Sequence, residues 1–390
     1  MGPDSYDHQI SLKAVAHGED RIKVTWFADV GKHPSFELHR RQVESVVKGC
    51  REALEALTDE FMGTLNPSFG PALRRLAEEG SRLHYLLFDG VATQREEARK
   101  ILDWLNGLEG SVRLTISADS AVHIPWTLVY HGDPQDISDD ATSVEDYNAF
   151  WALRYVLSVV YTGMTPRVLN KPRKRDTFKV LSVLSRAEYE QACTALTDDE
   201  SAFLDELLER PVGKTFSWPA CRQRWNETST TDCLFHVFAH ASGTGIQLSP
   251  DENLDVVDFK RFFSRKATAT PGEGRYCVVF LNGCSTAVGD LDNAFINATA
   301  EPGFCGFIGA EAPLPVEFAI RFGAAFMYLL LERGLTVVSA IDRLRRQHWP
   351  LGLIYGCFAH PSFHVERCAG TRKPPWTPDA NFSFPRLDGA

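Results

Sequence analysis

Apolar runs that stop abruptly at a polar or small residue set the pattern of the second half of the chain. Leu234 to Ala239 and Tyr276 to Leu281 are two such runs, bounded by Gly and polar positions, and they predict buried strands of a parallel sheet. Phe178 to Leu184, Gly306 to Ala310 and Leu353 to Gly356 read the same way. Helical patterns lie between them. Asp198 to Glu209 has an acidic first turn that suits the helix dipole, residues 219–226 form a short helix, and Phe318 to Arg333 and Val337 to Gln347 are amphipathic helices separated by Gly334. Strand and helix in alternation predict an α/β fold: a mostly parallel sheet with helices on both faces.

The first half has a different rhythm. Arg21 to Phe27 alternates as a strand does, whereas the apolar positions of Ser35 to Leu57, Pro71 to Glu79 and Thr93 to Leu108 recur at helical spacing. Val112 to Ile116 is a strand, and Trp151 to Thr162 reads as another. Between these, Ile124-Pro125-Trp126 predicts a fixed bend packed under an aromatic lid, and acidic Asp133 to Asp146 an exposed loop. The basic run Lys171-Pro172-Arg173-Lys174-Arg175 separates the halves and reads as a solvated linker. The expected division is 1–110, a helical and strand-containing region; 111–170, a small unit; 177–367, the main α/β domain; and 368–390, an extended proline-rich tail. No internal repeat is visible.

Composition narrows the function classes. The chain has 390 residues, 44% hydrophobic and 24% charged, enough for two or three packed domains. Its net charge of -10 argues against a general binder of nucleic acid or anionic membranes, which relies on basic faces. Nine cysteines, an odd number without a CxxC pair, support neither a zinc site nor a disulfide framework and suit a reducing cytosol. No apolar run reaches the roughly 18 residues needed to span a bilayer, and the start, MGPDSYDHQI, lacks the apolar core of a signal peptide. A cytoplasmic protein with no cofactor and no metal is the expectation.

The candidate chemistry sits where the two opening strands end. His240 follows the first and Cys284, 44 positions later, follows the second. In an open parallel sheet, ligands sit at the carboxyl ends of the strands. If the two strands share one sheet, a thiol and an imidazole able to take its proton emerge side by side. Asn282, Gly283 and Ser285 around the cysteine are polar or small rather than core-forming, and Gly283 lets backbone N–H groups approach the thiol. His236 precedes His240 by four residues on the same strand face and reads as scaffolding or an orienting neighbour. The spacing brings no carboxylate for a metal site. No G-x-S-x-G elbow, Walker A loop or G-x-G-x-x-G is present.

Histidine at one strand end and cysteine at the next, in that order, resembles the caspase-like cysteine peptidases. More specifically the chain is similar to the CHAT group, a caspase-like domain found beside TPR repeats. The resemblance rests on the His236-x-x-x-His240 strand, on Leu281-Asn282-Gly283-Cys284-Ser285-Thr286-Ala287, on Gly306 to Pro315 followed by Phe322 to Gly334, and on Ile124-Pro125-Trp126 with Leu128-Val129-Tyr130. These span about Val112 to Phe363.

The resemblance implies a caspase-like sheet flanked by helices, with an N-terminal α+β half resembling a degenerate caspase unit. It implies a cysteine endopeptidase acting on a protein substrate, with Cys284 as nucleophile and His240 protonating the leaving amine. Gly283 and the N–H groups of Cys284 and Ala241 would hold the oxyanion. Ala241 departs from the glycine usual after that histidine and lacks its backbone freedom. Asn282, Glu311 and Arg186 would line the substrate pocket, and the two opposite charges leave open whether it suits a basic or an acidic residue. Family members act in bacterial, including antiviral, defence and cell death, where they cleave a dedicated protein such as a gasdermin. The chain shows no TPR array, so a separate activating protein or self-association is implied. The alternative is a catalytically weak caspase-like scaffold that binds a partner protein.

Overall fold

The computed structural model describes residues 6–27, 35–63, 69–88, 95–119, 122–139, 148–162, 164, 172–209, 211–227, 232–242, 244–264, 276–288, 295–300 and 303–366. The expected tail, 368–390, lies outside the described residues, as does Asp140 to Asp146 of the acidic loop. The chain divides into two compact units, residues 1–162 with 348–354, and residues 163–347 with 355–390.

The first unit is the α+β half. Its strands are β1 (His8–His17), β2 (Arg21–Phe27) and β3 (Ser35–His39), followed by helices α1 (Arg40–Gly63), α2 (Phe69–Phe88) and α3 (Arg95–Asn106), then β4 (Val112–Ala118), α4 (Trp151–Arg154) and β5 (Val156–Tyr161). They form one five-stranded sheet in the order β3-β2-β1-β4-β5. Because β1 runs parallel to β4, with His8 opposite Val112, the expected division at 110/111 falls inside this unit. The helical pattern expected from Ser35 begins instead with a strand, since Phe36 and Leu38 alternate with polar residues and are buried. The apolar run at Trp151 likewise makes one helical turn before entering β5. The Pro-Trp bend is a 3₁₀ turn, Trp126–Leu128, and Trp126 stacks on Trp151 at 6.3 Å within a buried cluster that includes Trp26 and Phe88.

The second unit carries the strand-helix alternation read from the sequence. Its elements are β6 (Lys179–Leu184), α5 (Arg186–Thr194), α6 (Asp198–Leu208), β7 (Pro211–Thr215), α7 (Trp218–Glu227), β8 (Cys233–Phe238), the short strands β9 (His240–Ser242), β10 (Gly245–Ser249) and β11 (Glu252–Asp255), α8 (Val256–Ser264), β12 (Cys277–Asn282), α9 (Phe295–Thr299), β13 (Phe304–Ala310), α10 (Val316–Leu331), α11 (Val337–Gln347) and β14 (Tyr355–Ala359). The main sheet has six strands in the order β7-β6-β8-β12-β13-β14. All neighbours are parallel except β13 and β14. This is the expected α/β arrangement, a mostly parallel sheet flanked by helices. β8, β12 and β13 are buried along their whole length, which is why they read as continuous apolar runs. α10 is apolar on almost every face and is correspondingly buried.

The basic run is not a solvated linker. Arg173 pairs with Asp232 at 3.4 Å and lies over the Tyr276 ring, and Arg175 pairs with Glu332 at 2.7 Å. The segment also bridges Val365 through Arg173. Two guanidiniums held by carboxylates and an aromatic face bind the segment to the folded unit.

Candidate active site

Three strands of the main sheet deliver the site. β8 and β12 are adjacent and parallel, with Phe238 opposite Asn282. His240 therefore lies two residues beyond its strand end, and Cys284 two residues beyond its own, at the same level. The backbones on which they sit touch. A Cβ added at Gly283 would lie 2.5 Å from the Ala239 carbonyl oxygen and 3.0 Å from the Ala241 Cβ. Only glycine fits so close an approach, which explains the residue next to the thiol. His240 is exposed and opens the small sheet β9-β10-β11, where it pairs with Gln247 across from β10. Ala241 is buried and pairs with Ile246.

The cysteine turn is fastened to the end of β13. The Ser285 N–H donates to the Ala312 carbonyl at 3.1 Å and the Ala287 N–H to the Ala310 carbonyl at 2.8 Å. Thr286 Oγ1 lies 2.9 Å from the Leu281 carbonyl and 3.1 Å from that of Gly283, and accepts from the Ala310 N–H at 2.9 Å. These bonds hold Ser285 at φ 52°, a left-handed conformation uncommon for a residue with a side chain.

The thiol itself is clasped. The Leu314 N–H donates to Cys284 Sγ at 3.3 Å, and Sγ in turn donates to the Leu314 carbonyl at 3.8 Å. Burial pushes the Cys284 thiol up from its ordinary value, and the nearby Glu188 carboxylate pushes the same way against the Leu314 N–H. In this arrangement the sulfur rests as a protonated thiol.

Of the other predicted residues, Asn282 and Glu311 are buried and Arg186 is exposed. Asn282 is 1% exposed, and both ends of its amide are bonded: Nδ2 donates to the Ala319 carbonyl at 2.8 Å and Oδ1 accepts from the Tyr355 hydroxyl at 2.5 Å. It ties β12 to α10 and β14. Glu311 is 1% exposed, against Gly356 and close enough to the buried Arg345 to favour its charge. Arg186 is exposed but leans over the Phe216 ring at 4.3 Å and faces Glu190 at 3.7 Å. His236 is wholly buried, with Ser182 Oγ 3.4 Å from Nδ1 and no partner on Nε2, and burial lowers its pKa to about 3. Tyr355 and Glu188 are the site neighbours that the sequence did not single out. Ser185-x-x-Glu188 has the spacing of a helix start and was the available signal for α5. Among the described residues no group of three His, Cys, Asp or Glu side chains is arranged to hold a metal ion, and no helix is long and apolar enough to cross a membrane.

No family model matches the chain, and no curated protein matches it. Among solved structures, two crystal structures of the Saccharomyces cerevisiae separase–securin complex are similar. One gives a TM-score of 0.47 at 10% identity over 92% of this chain and 30% of that chain. The other gives 0.44 at 10% identity over 90% of this chain and 30% of that chain. The chain thus spans under a third of the length of the separase chains it resembles.

Proposed function

We propose that the chain is a CHAT-type, caspase-like cysteine endopeptidase working through Cys284 and His240. The observation that supports this reading is the register of Phe238 with Asn282 at the ends of adjacent parallel strands, each two residues before a member of the proposed dyad. With substrate bound, His240 takes the thiol proton and the thiolate attacks the scissile carbonyl carbon. The oxyanion forms beside Gly283 and the Cys284 and Ala241 N–H groups. His240 then returns the proton to the departing amine as the C–N bond breaks, leaving a thioester that water hydrolyses. The substrate is a specific protein. By the family resemblance the setting is bacterial defence, where a gasdermin-like effector is one such substrate, and an activating protein or self-association switches the enzyme on.

The test is cleavage of a mixed peptide library by the purified chain, by Cys284→Ala and by His240→Ala. Cleavage present in the first and absent from both variants is the expected result. Cleavage that survives Cys284→Ala rules the reading out. The clasped, protonated thiol favours a second reading, a partner-binding scaffold whose cysteine no longer turns over. That reading expects no cleavage even with a cognate activator added.

A further inference from the structure

One charged group beside the dyad is used by neither the fold nor the chemistry described above. α5 leaves the end of β6 with Ser185 as its cap, and Ser185 Oγ accepts from the Glu188 N–H at 3.5 Å. The Ser185 N–H donates to the Phe238 carbonyl at 2.7 Å, two residues before His240. Leu184, Phe238 and Asn282 are therefore register partners at the ends of β6, β8 and β12, and the segments that follow carry Glu188 in the first turn of α5, His240 at the start of β9, and Cys284.

The facing of α5 is set from its other side. Arg186 covers Phe216, which follows β7, and the Tyr189 hydroxyl donates to Asp205 at 2.5 Å. β7 lies on the far side of β6 from β8. At about 100° per residue, Glu188 points roughly 160° away from Arg186, toward the β8 and β12 side. It is part-buried, and its carboxylate has no ion pair or hydrogen bond among the described residues. Its charge reaches Cys284, where it opposes the thiolate.

We propose that Glu188 is the specificity-determining residue of the dyad's substrate pocket, and that the residue supplying the scissile carbonyl is lysine or arginine. This rests on the peptidase reading. A part-buried carboxylate without a cation is completed by an ammonium or guanidinium through charge-assisted hydrogen bonds. The same cation offsets the negative charge that disfavours the thiolate, so a basic side chain also readies the nucleophile.

The test uses peptidyl acyloxymethyl ketones with Lys, Arg, Leu or Asp at that position, and the Cys284 adduct is followed by mass spectrometry. In each adduct a C–S bond forms as the carboxylate leaves. On the full chain the Lys and Arg probes label at least roughly ten-fold faster than the Leu and Asp probes. Glu188→Gln removes that margin without slowing Leu labelling, and Glu188→Lys turns the preference toward Asp. Leu or Asp labelling as fast as Lys in the natural chain overturns the proposal and leaves the peptidase reading standing. An equal loss for all four probes in Glu188→Gln overturns it too, because a merely structural role acts on every probe alike. If no peptide probe labels Cys284 while iodoacetamide does, the peptidase reading itself fails.

Discussion

At the scale of single residues, Gly283 decides whether the two chemistry-bearing loops meet. The nearest obstacle to a side chain there is the Ala239 carbonyl, a backbone atom that cannot swing aside. Gly283→Ala is therefore expected to push the His240 loop from the Cys284 loop, costing about 1–3 kcal/mol of stability. The proposed peptidase activity is expected to fall by more than that loss explains, and comparing urea midpoints with cleavage rates at one temperature separates the two effects. The thiol makes a second prediction. Its pKa is raised by burial and by Glu188, so the thiolate fraction in the resting chain is small at neutral pH. Iodoacetamide should alkylate Cys284 slowly at pH 7, with a rate still climbing above the pH where a free thiol levels off. Glu188→Gln shifts that curve to lower pH. A plateau already reached at pH 7 to 8 contradicts the clasped-thiol description.

At the scale of elements, the hydrogen bond between Tyr355 on β14 and Asn282 on β12 spans the strand between them. Tyr355→Phe keeps the ring stacked on Phe322 at 3.9 Å but leaves the buried Asn282 Oδ1 without its donor. An unsatisfied buried acceptor costs about 1–3 kcal/mol, to be read from denaturant unfolding, and an unchanged midpoint argues against the bond. The same two elements show what the sequence reveals and what it hides. β8 and β12 are legible because burial on both faces forces a continuous apolar run. α10 and α11 are legible because their apolar spacing is strong. The small sheet β9-β10-β11 was missed because strands of three to five residues carry too few alternating positions to stand out. α5 lacks an apolar stripe, with only Tyr189 and Ala192 buried, so only its cap announces it. The positions of His240 and Cys284 follow from strand ends and were readable as such. The burial of Asn282 and Glu311 was not, because it depends on Tyr355 and Arg345, partners far along the chain. Likewise the basic run looked solvated because its carboxylates, Asp232 and Glu332, lie well over fifty residues away.

At the scale of the whole molecule, burial lowers the pKa of five described histidines, three of them far enough to hold them neutral well into the acid range. His84 and His236 have pKa values lowered to about 3 and His348 to about 4. The sign follows from the unfolded chain, where each titrates near its ordinary 6.5. Above that pH neither state binds the protons and stability is full. As pH falls below it, the unfolded chain takes up protons that the folded chain refuses, and stability is lost progressively toward pH 3 to 4. Each unit of separation carries about 1.4 kcal/mol, so together the three remove several kcal/mol by about pH 5. Urea unfolding at pH 7.5 and pH 5 is expected to show that loss. His236→Gln removes one histidine from the slope of stability against pH in the unit that carries the dyad, whatever it does to stability at pH 7.5. A slope unchanged by that substitution means His236 is protonated in the folded chain. The consequence for function is direct. The acid limb of an activity profile then contains unfolding driven by the buried His236. In His236→Gln that unfolding limb moves to lower pH, and an acid limb that does not move argues against the buried neutral His236.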